Sequence, residues 1–213
     1  MIKEIIIVGA GGHAAELVDY IRVWNQLQKE LIEIKGLIDD NRGNYLHYNF
    51  SAPFLGSIVD HVVDENCYYL MGIANIEFRK KIVLDLLEKG AKLSGFIHPS
   101  AEISPSATIE EGVVISRNST VGPMAKIGKH TIINSRCTIG HDSEIGEFNF
   151  ISPLCAISGN SKIGNDNLIG TNVVTLPGVK MGDRNKIGAG VVLFFEVSSD
   201  TTVVGQKPRV IEK

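Results

Sequence analysis

Ile133-Asn134-Ser135-Arg136-Cys137-Thr138, Ile139-Gly140-His141-Asp142-Ser143-Glu144 and Ile145-Gly146-Glu147-Phe148-Asn149-Phe150 are three consecutive six-residue units, each opening on isoleucine. The register runs outward without an insertion from residue 97 to residue 192, sixteen units in all. First positions read Ile97, Ile103, Ile109, Ile115, Val121, Ile127, Ile133, Ile139, Ile145, Ile151, Ile157, Ile163, Ile169, Thr175, Met181 and Ile187. The second position is Gly in eight units, and the fifth is small or short throughout. A period of six fits neither the 3.6 repeat of a helix nor an independent sheet; it suits a chain that turns a corner every six residues and points one aliphatic side chain per side inward. One unit has no core of its own, so the array must stack as a parallel β-solenoid. Three sides give a coil of eighteen residues, whereas a β-sandwich would show variable turn spacing.

That coil makes internal predictions. Asn149, Asn167 and Asn185 lie eighteen apart at fifth positions and should form a ladder of side-chain amides at one corner. Cys137 and Cys155 should be stacked neighbours as small buried corner residues, since parallel Cβ vectors suit a disulfide poorly. The second-position glycines are expected where the backbone turns with φ > 0.

The run as a whole resembles the hexapeptide-repeat acyltransferases, and the segment Asn134 to Pro153 is similar to the subfamily that acetylates nucleotide-linked amino sugars and sialic acids. The resemblance extends over nearly the whole chain. It implies a left-handed coil, against the usual right-handed crossover, and a homotrimer with acetyl-CoA bound between neighbouring solenoids.

The first 96 residues have a different rhythm. Ile5 to Val8 is a β-branched run suited to a strand buried on both faces. Gly9 to His13 and a helical pattern from Ala14 to about Leu31 follow it. A second strand, Ile34 to Ile38, ends in Asp39 and Asp40; a third, Tyr68 to Met71, runs into Gly72. Helix Glu77 to Lys89 and strand Lys92 to Phe96 lead into the repeats. Alternating β and α predicts a parallel sheet, hence an α/β Rossmann-like half-domain over residues 1–96 and an all-β left-handed parallel β-helix with a C-terminal extension over 97–213. Gly9-x-Gly11-x-x-Ala14 with acidic residues after the second strand approximates a dinucleotide fingerprint. The region is half the length a full dinucleotide fold needs, which favours a nucleoside diphosphate over NAD. In the resembled family this turn and the acidic pair hold the nucleotide-sugar, which implicates Gly11, Gly12, His13, Asp39, Asp40 and Gly72, with Asn134 from the repeats.

With 213 residues, 44% hydrophobic content and a net charge of −3, the chain has ample core and offers no support for nucleic-acid binding. No apolar run reaches the roughly 18 residues of a membrane span, and nothing reads as a signal peptide. Three cysteines without a CxxC point to free thiols in a reducing cytoplasm. No histidine pair has metal-ligand spacing, so no metal is expected.

His47, His61, His98 and His130 read as surface or linker residues. His141 stands apart at the third position of its unit, just past Gly140, where a side chain should face outward. The resemblance implies that it is the catalytic base and that Asp142 orients it. A histidine can take the proton that leaves an amine or hydroxyl attacking the thioester of acetyl-CoA, and backbone N–H groups of the turns can face the oxyanion. Relatives carry a second histidine at the thioester, where this chain has Phe150; positions that meet the cofactor through backbone fall on Thr171 and Ala189, and Lys207 or Arg209 is placed to reach CoA phosphates. The expected activity is N-acetylation of a UDP-, dTDP- or GDP-linked 4-amino-4,6-dideoxy sugar in surface-glycan biosynthesis, by direct transfer. The alternatives are sialic acid O-acetylation and a non-catalytic trimeric scaffold that binds nucleotide-sugars.

Overall fold

The computed structural model describes residues 2–205, so Lys207 and Arg209 lie outside the described residues. The N-terminal part runs β1 (Ile2–Val8), α1 (Gly12–Leu27), β2 (Leu31–Ile38), α2 (Arg42–Tyr48), β3 (Phe54–Gly56), β4 (Tyr68–Met71), α3 (Ile76–Glu88) and β5 (Lys92–Ser94). Its five parallel strands are ordered β3-β2-β1-β4-β5. The chain therefore builds outward from β1 in one direction, then crosses to its other side. That reversal opens a crevice at the carboxyl ends of β1 and β4, the position where open α/β sheets bind ligands.

Two sequence expectations change here. The helix ends at Leu27 and β2 begins at Leu31, because the Asn25 side chain bonds both the N–H and the C=O of Ile32 and Trp24 Nε1 donates to the carbonyl of Glu30. These side-chain bonds draw the chain back before the apolar periodicity runs out. The short α2 and β3 were not legible, so Tyr68–Met71 is the fourth strand rather than the third.

From Phe96 onward the chain forms a left-handed parallel β-helix of two-residue strands. Each residue pairs with the one eighteen further on, as Thr120 does with Thr138 and Phe150 with Leu168. The first face carries seven strands from Phe96–Ile97 to Thr202–Val203, the second six from Glu102–Ile103 to Val192–Leu193, and the third five from Thr108–Ile109 to Lys180–Met181. Phe96 pairs with Val114 in the first face, so the change of architecture falls at Gly95, whose missing Cβ would lie 2.4 Å from the carbonyl oxygen of Val113. Beyond residue 193 the last turn shortens: Met181 meets Val197 and Lys186 meets Thr202, sixteen residues apart instead of eighteen.

First-position residues line one interior, with Thr175 the buried polar member of the stack. Asn149, Asn167 and Asn185 share a corner, fully buried. Their ladder runs through the backbone: Asn149 Oδ1 accepts from the N–H of Asn167 (2.9 Å), Asn167 Oδ1 from Asn185 (2.8 Å) and Asn185 Oδ1 from Thr201 (2.7 Å). Cys137 and Cys155 are buried free thiols that donate to the carbonyls of Ser152 and Gly170, each at 3.1 Å. Hydrogen bonding with Cys155 and burial push the Cys137 thiol well above its ordinary value, so it is no acyl-carrying nucleophile.

The glycines do a different task from the one expected. The left-handed backbone sits at the fourth position, in fourteen successive units from Gly112 to Gly190, mostly without glycine: Asn118, His130, Asp142, Phe148 and Asp166 all have φ near +57°. The second-position glycines have no left-handed φ; they let successive coils touch. A Cβ on Gly140 would lie 2.3 Å from the nitrogen of Gly159, and one on Gly128 2.6 Å from the carbonyl carbon of Gly146. At the 4.7–4.9 Å spacing of paired strands there is no room for a methyl group pointing along the stack.

Candidate active site

The N-terminal half packs on the first face of the solenoid. Ala14, Leu17, Val18 and Ile21 of α1 form one core with the outward residues Phe96, Val114 and Ile132. Tyr20 of α1 stands edge-on to His98 at 4.9 Å, and His130 lies 4.9 Å from Phe148 at the opposite corner of that face. Both histidines are thereby buried, contrary to the sequence expectation, and desolvation lowers both, His130 to about 4. Gly112 makes room for His130, since a Cβ there would meet Nδ1.

At the crevice, Gly9 takes φ +99° and its N–H bonds the carbonyl of Ile38, while the N–H of Gly72 bonds that of Val8. Gly72 is required by packing, for its Cβ would lie 2.8 Å from that of Ala14. Gly11 differs: nothing lies within 4 Å of its missing Cβ, so the mouth of the turn is open above the first turn of α1. Open glycine backbone at a helix N-terminus is suited to an anionic group. Tyr48, which the sequence did not single out, brings its hydroxyl to 3.1 Å from the Cβ position of Gly12. His13 has a side chain 6% exposed, stands edge-on to Phe150 at 6.3 Å, and leaves its buried Nε2 without a partner among the described residues.

Asp39 and Asp40 end β2 as expected, but each is already committed. Asp39 accepts from the N–H of Ala10 at 2.6 Å and of Asn41 at 2.7 Å; Asp40 accepts from Ile58 at 2.8 Å and Val59 at 3.2 Å. Asp39 thus ties the Gly-rich turn to the end of β2. Asp39→Ala is expected to raise KM for a nucleotide-linked substrate and also to destabilise the fold by about 1–3 kcal/mol through the orphaned N–H of buried Ala10. KM for acetyl-CoA should stay nearly unchanged. Parallel steady-state titrations and urea unfolding check this; equal rises in both KM values would mean that only the fold was damaged.

His141 lies at the corner between the second and third faces, exposed, with Nδ1 2.7 Å from Asp142 Oδ2. A carboxylate can only accept, so Nδ1 carries the proton and the lone pair of Nε2 is the free one. Two stacking partners set the ring. The N–H of Asp142, which has φ +57°, bonds the carbonyl of Pro123 in the previous coil, and Gly159 lies below in the next coil, its Cβ position 2.8 Å from Nε2. Only glycine at 159 leaves the imidazole that place. The signal was present in the sequence as a Gly at the third rather than second position, eighteen residues after His141. Glu144, near in sequence, is instead turned along the third face toward Lys126 and Lys162.

The remaining candidates divide between two places. Asn134, Thr171 and Ala189 share the corner between the first and second faces. Asn134 is buried and its Oδ1 accepts from the N–H of Ser135 at 2.7 Å; Thr171 and Ala189 are exposed, and their N–H groups have no partner among the described residues. Phe150 is on the first face, beneath the start of α1. Neither group is on the His141 corner. Because the N-terminal half covers the first face and His141 occupies the corner opposite that face, one chain keeps its crevice and its imidazole on opposite sides of the prism.

Arg79 was missed as well. It is 1% exposed and contacts no carboxylate among the described residues; its guanidinium donates to the carbonyls of Ile73, Ala74, Phe148 and Asn149 at 2.8–3.3 Å. It rivets the loop after β4 to the solenoid, helped by Lys80, which binds Asp166 at 2.7 Å. Among the described residues no group of three or more His, Cys, Asp or Glu could hold a metal ion, and no helix is long and apolar enough to cross a membrane.

Comparison with known proteins agrees with this two-part description. Residues 4–86 match the PglD N-terminal domain, and residues 160–194 match the bacterial transferase hexapeptide (six repeats). The acetyltransferase domain of PglB from Neisseria gonorrhoeae FA1090 superposes with a TM-score of 0.80 in complex with acetyl coenzyme A, at 24% identity over 94% of this chain and 97% of that one. Another structure of the same domain gives 0.79 at 26% identity over 92% and 93%. PerB from Caulobacter crescentus, in complex with CoA and GDP-perosamine, gives 0.81 at 23% identity over 93% and 92%. WeeI from Acinetobacter baumannii AYE gives 0.81 at 24% identity over 99% and 100%.

Proposed function

We propose that this chain, an acetyltransferase with a PglD-type N-terminal domain on a hexapeptide-repeat solenoid, moves acetyl from acetyl-CoA to the amine of a nucleotide-linked 4-amino-4,6-dideoxy sugar in the cytoplasm, for surface-glycan biosynthesis. The observation that carries the reading is the outward imidazole of His141, held at Nδ1 by Asp142 with Nε2 left to accept. Acetyl-CoA supplies the activated acyl group. Nε2 takes the proton as the substrate amine attacks the acetyl carbon and the thiolate departs, and Asp142 favours the imidazolium that results. The exposed corner of Thr171 and Ala189, with unused N–H groups, suits the amide-bearing arm of CoA. Phe150 replaces a polar acyl contact with an apolar wall.

The opposed positions of crevice and base support a homotrimer in which a substrate held by one chain meets His141 of another. The second face suits that contact: its outward residues are Glu102, Thr120, Thr138, Ala156, Val174 and Val192, whereas the third face presents Lys126, Glu144, Lys162 and Lys180. Exposed Met124, Leu176, Phe194 and Phe195 lie along the His141 corner beside it, several coils apart. The test is a thiol-release assay against UDP-, dTDP- and GDP-linked 4-amino sugars and free sialic acid, with light scattering on the active sample. Turnover confined to a nucleotide-amino sugar by a trimer is expected; preference for sialic acid, or activity from a monomer, would overturn the reading.

A further inference from the structure

We propose that Ser158, Ser161 and Thr175 are positioning residues for the imidazole of His141, acting through Gly159. The inference rests on the reading of His141 as the base. Along the second face, the N–H of a second-position residue bonds the first-position carbonyl of the next coil: Ser104 that of Val121, Gly122 that of Ile139, Gly140 that of Ile157 and Leu176 that of Leu193. Ser158 is the exception among the described residues. Its N–H goes to Thr175 Oγ1 at 2.9 Å, and its own Oγ donates to the Thr175 carbonyl at 2.5 Å. Ala156 still pairs with Val174, but Ile157 no longer pairs with Thr175, whereas every other step of this face keeps two pairs.

A second regularity breaks at the same place. Elsewhere a fifth-position side chain donates to the carbonyl fifteen residues on, as Ser119 does to Asn134, Ser143 to Ser158 and Cys155 to Gly170. Ser161 turns back instead, to the Ser158 carbonyl at 2.7 Å, and meets Thr175 Oγ1 at 3.3 Å. Both backbone groups of Ser158 are thus held by hydroxyls. Ser143, Ser161 and Thr175 are fully buried, and a hydroxyl in an apolar stack costs free energy. Such departures from a local rule concentrate where function needs them.

The peptide held this way is the floor of the His141 corner. Gly140 rests on it, with its missing Cβ 2.8 Å from the Ser158 carbonyl carbon, and the imidazole lies over Gly159, whose Cβ position is 2.8 Å from Nε2. Asp142 holds the ring only at Nδ1. The level of the Ser158–Gly159 peptide therefore sets where Nε2 stands. With the Thr175 hydroxyl removed, the Ser158 N–H is free to take the regular bond to the carbonyl at position 175, and the floor moves; a misplacement of about 1 Å at reacting groups can cost about 10²-fold in rate.

Thr175→Val keeps the side chain's shape and deletes the hydroxyl. It should lower kcat by about 10–10²-fold, leave KM for acetyl-CoA and for the nucleotide-amino sugar nearly unchanged, and leave the thermal midpoint no lower than that of the wild type, because an aliphatic residue suits the stack. Thr175→Ser keeps the hydroxyl and deletes a buried methyl group, so it should recover most of kcat at a lower midpoint. In a His141→Ala background, Thr175→Val should add almost nothing to the loss, since its effect runs through the ring. Wild-type kcat in Thr175→Val, a Thr175→Ser variant as slow as Thr175→Val, or an undiminished further loss in the His141→Ala background would each overturn this proposal alone. Full activity in His141→Ala would overturn the reading of the base and this proposal together.

Discussion

His141→Ala is expected to lower kcat by about 10²–10⁴-fold, the usual contribution of a positioned acid–base group, with little change in thermal midpoint. The two halves of that expectation have separate causes. The ring lies outside the solenoid at a corner, so its loss removes no core contact; the repeat there is held by the backbone bonds of Gly140, Asp142 and Asn160 to neighbouring coils. In the proposed mechanism the chemistry depends on the ring, since Nε2 is the free acceptor that Asp142 leaves available. Asp142→Asn should lose less, because it weakens orientation and charge stabilisation while leaving the base. In the pH profile of kcat/KM, the limb on the acidic side should vanish in His141→Ala. Full activity in that variant against the best nucleotide-amino sugar would mean that the amine loses its proton elsewhere.

Arg79→Ala should be the most damaging substitution for stability, by about 3–5 kcal/mol, because several buried carbonyls lose a donor together at about 1–3 kcal/mol for each group left unsatisfied. For a chain of this length that corresponds to a fall in thermal midpoint of roughly 6–20 °C. Four carbonyls lose this donor at once, two in the loop after β4 and two in the solenoid, where that of Asn149 keeps the N–H of Ile132. Burial lowers the guanidinium to about 10, so it remains charged in both folded and unfolded states near neutral pH, and its contribution should be flat there. Arg79→Lys keeps the charge but cannot span both pairs of carbonyls, and should fall between. Differential scanning calorimetry decides it: an Arg79→Ala variant within about 1 kcal/mol of the parent, less than one orphaned buried polar group usually costs, would show that water replaces the guanidinium.

The solenoid was legible from residue order alone. An aliphatic residue every sixth position admits one stacking period, and the Asn column and the Cys pair lie eighteen apart for the same reason. Residue order also showed that the N-terminal half is a parallel α/β unit with a Gly-rich turn, and that His141 faces outward with Asp142 beside it. What it left open depends on contacts between coils or between halves, which a periodic pattern does not encode. The second-position glycines are needed for coil-to-coil distance rather than for φ, visible only once the coils are stacked. Gly159 matters because an imidazole lies over it, and Arg79 because two distant pairs of carbonyls converge on it. His98 is buried because Tyr20 of α1 covers its corner, and His130 because Phe148 of the next coil lies against it. Above all, tertiary structure decided that the crevice and the imidazole of one chain face opposite ways. The face on which the N-terminal half rests is chosen by the fit of Ala14, Leu17, Val18 and Ile21 of α1 against Phe96, Val114 and Ile132, a matching of two surfaces that neither segment specifies alone.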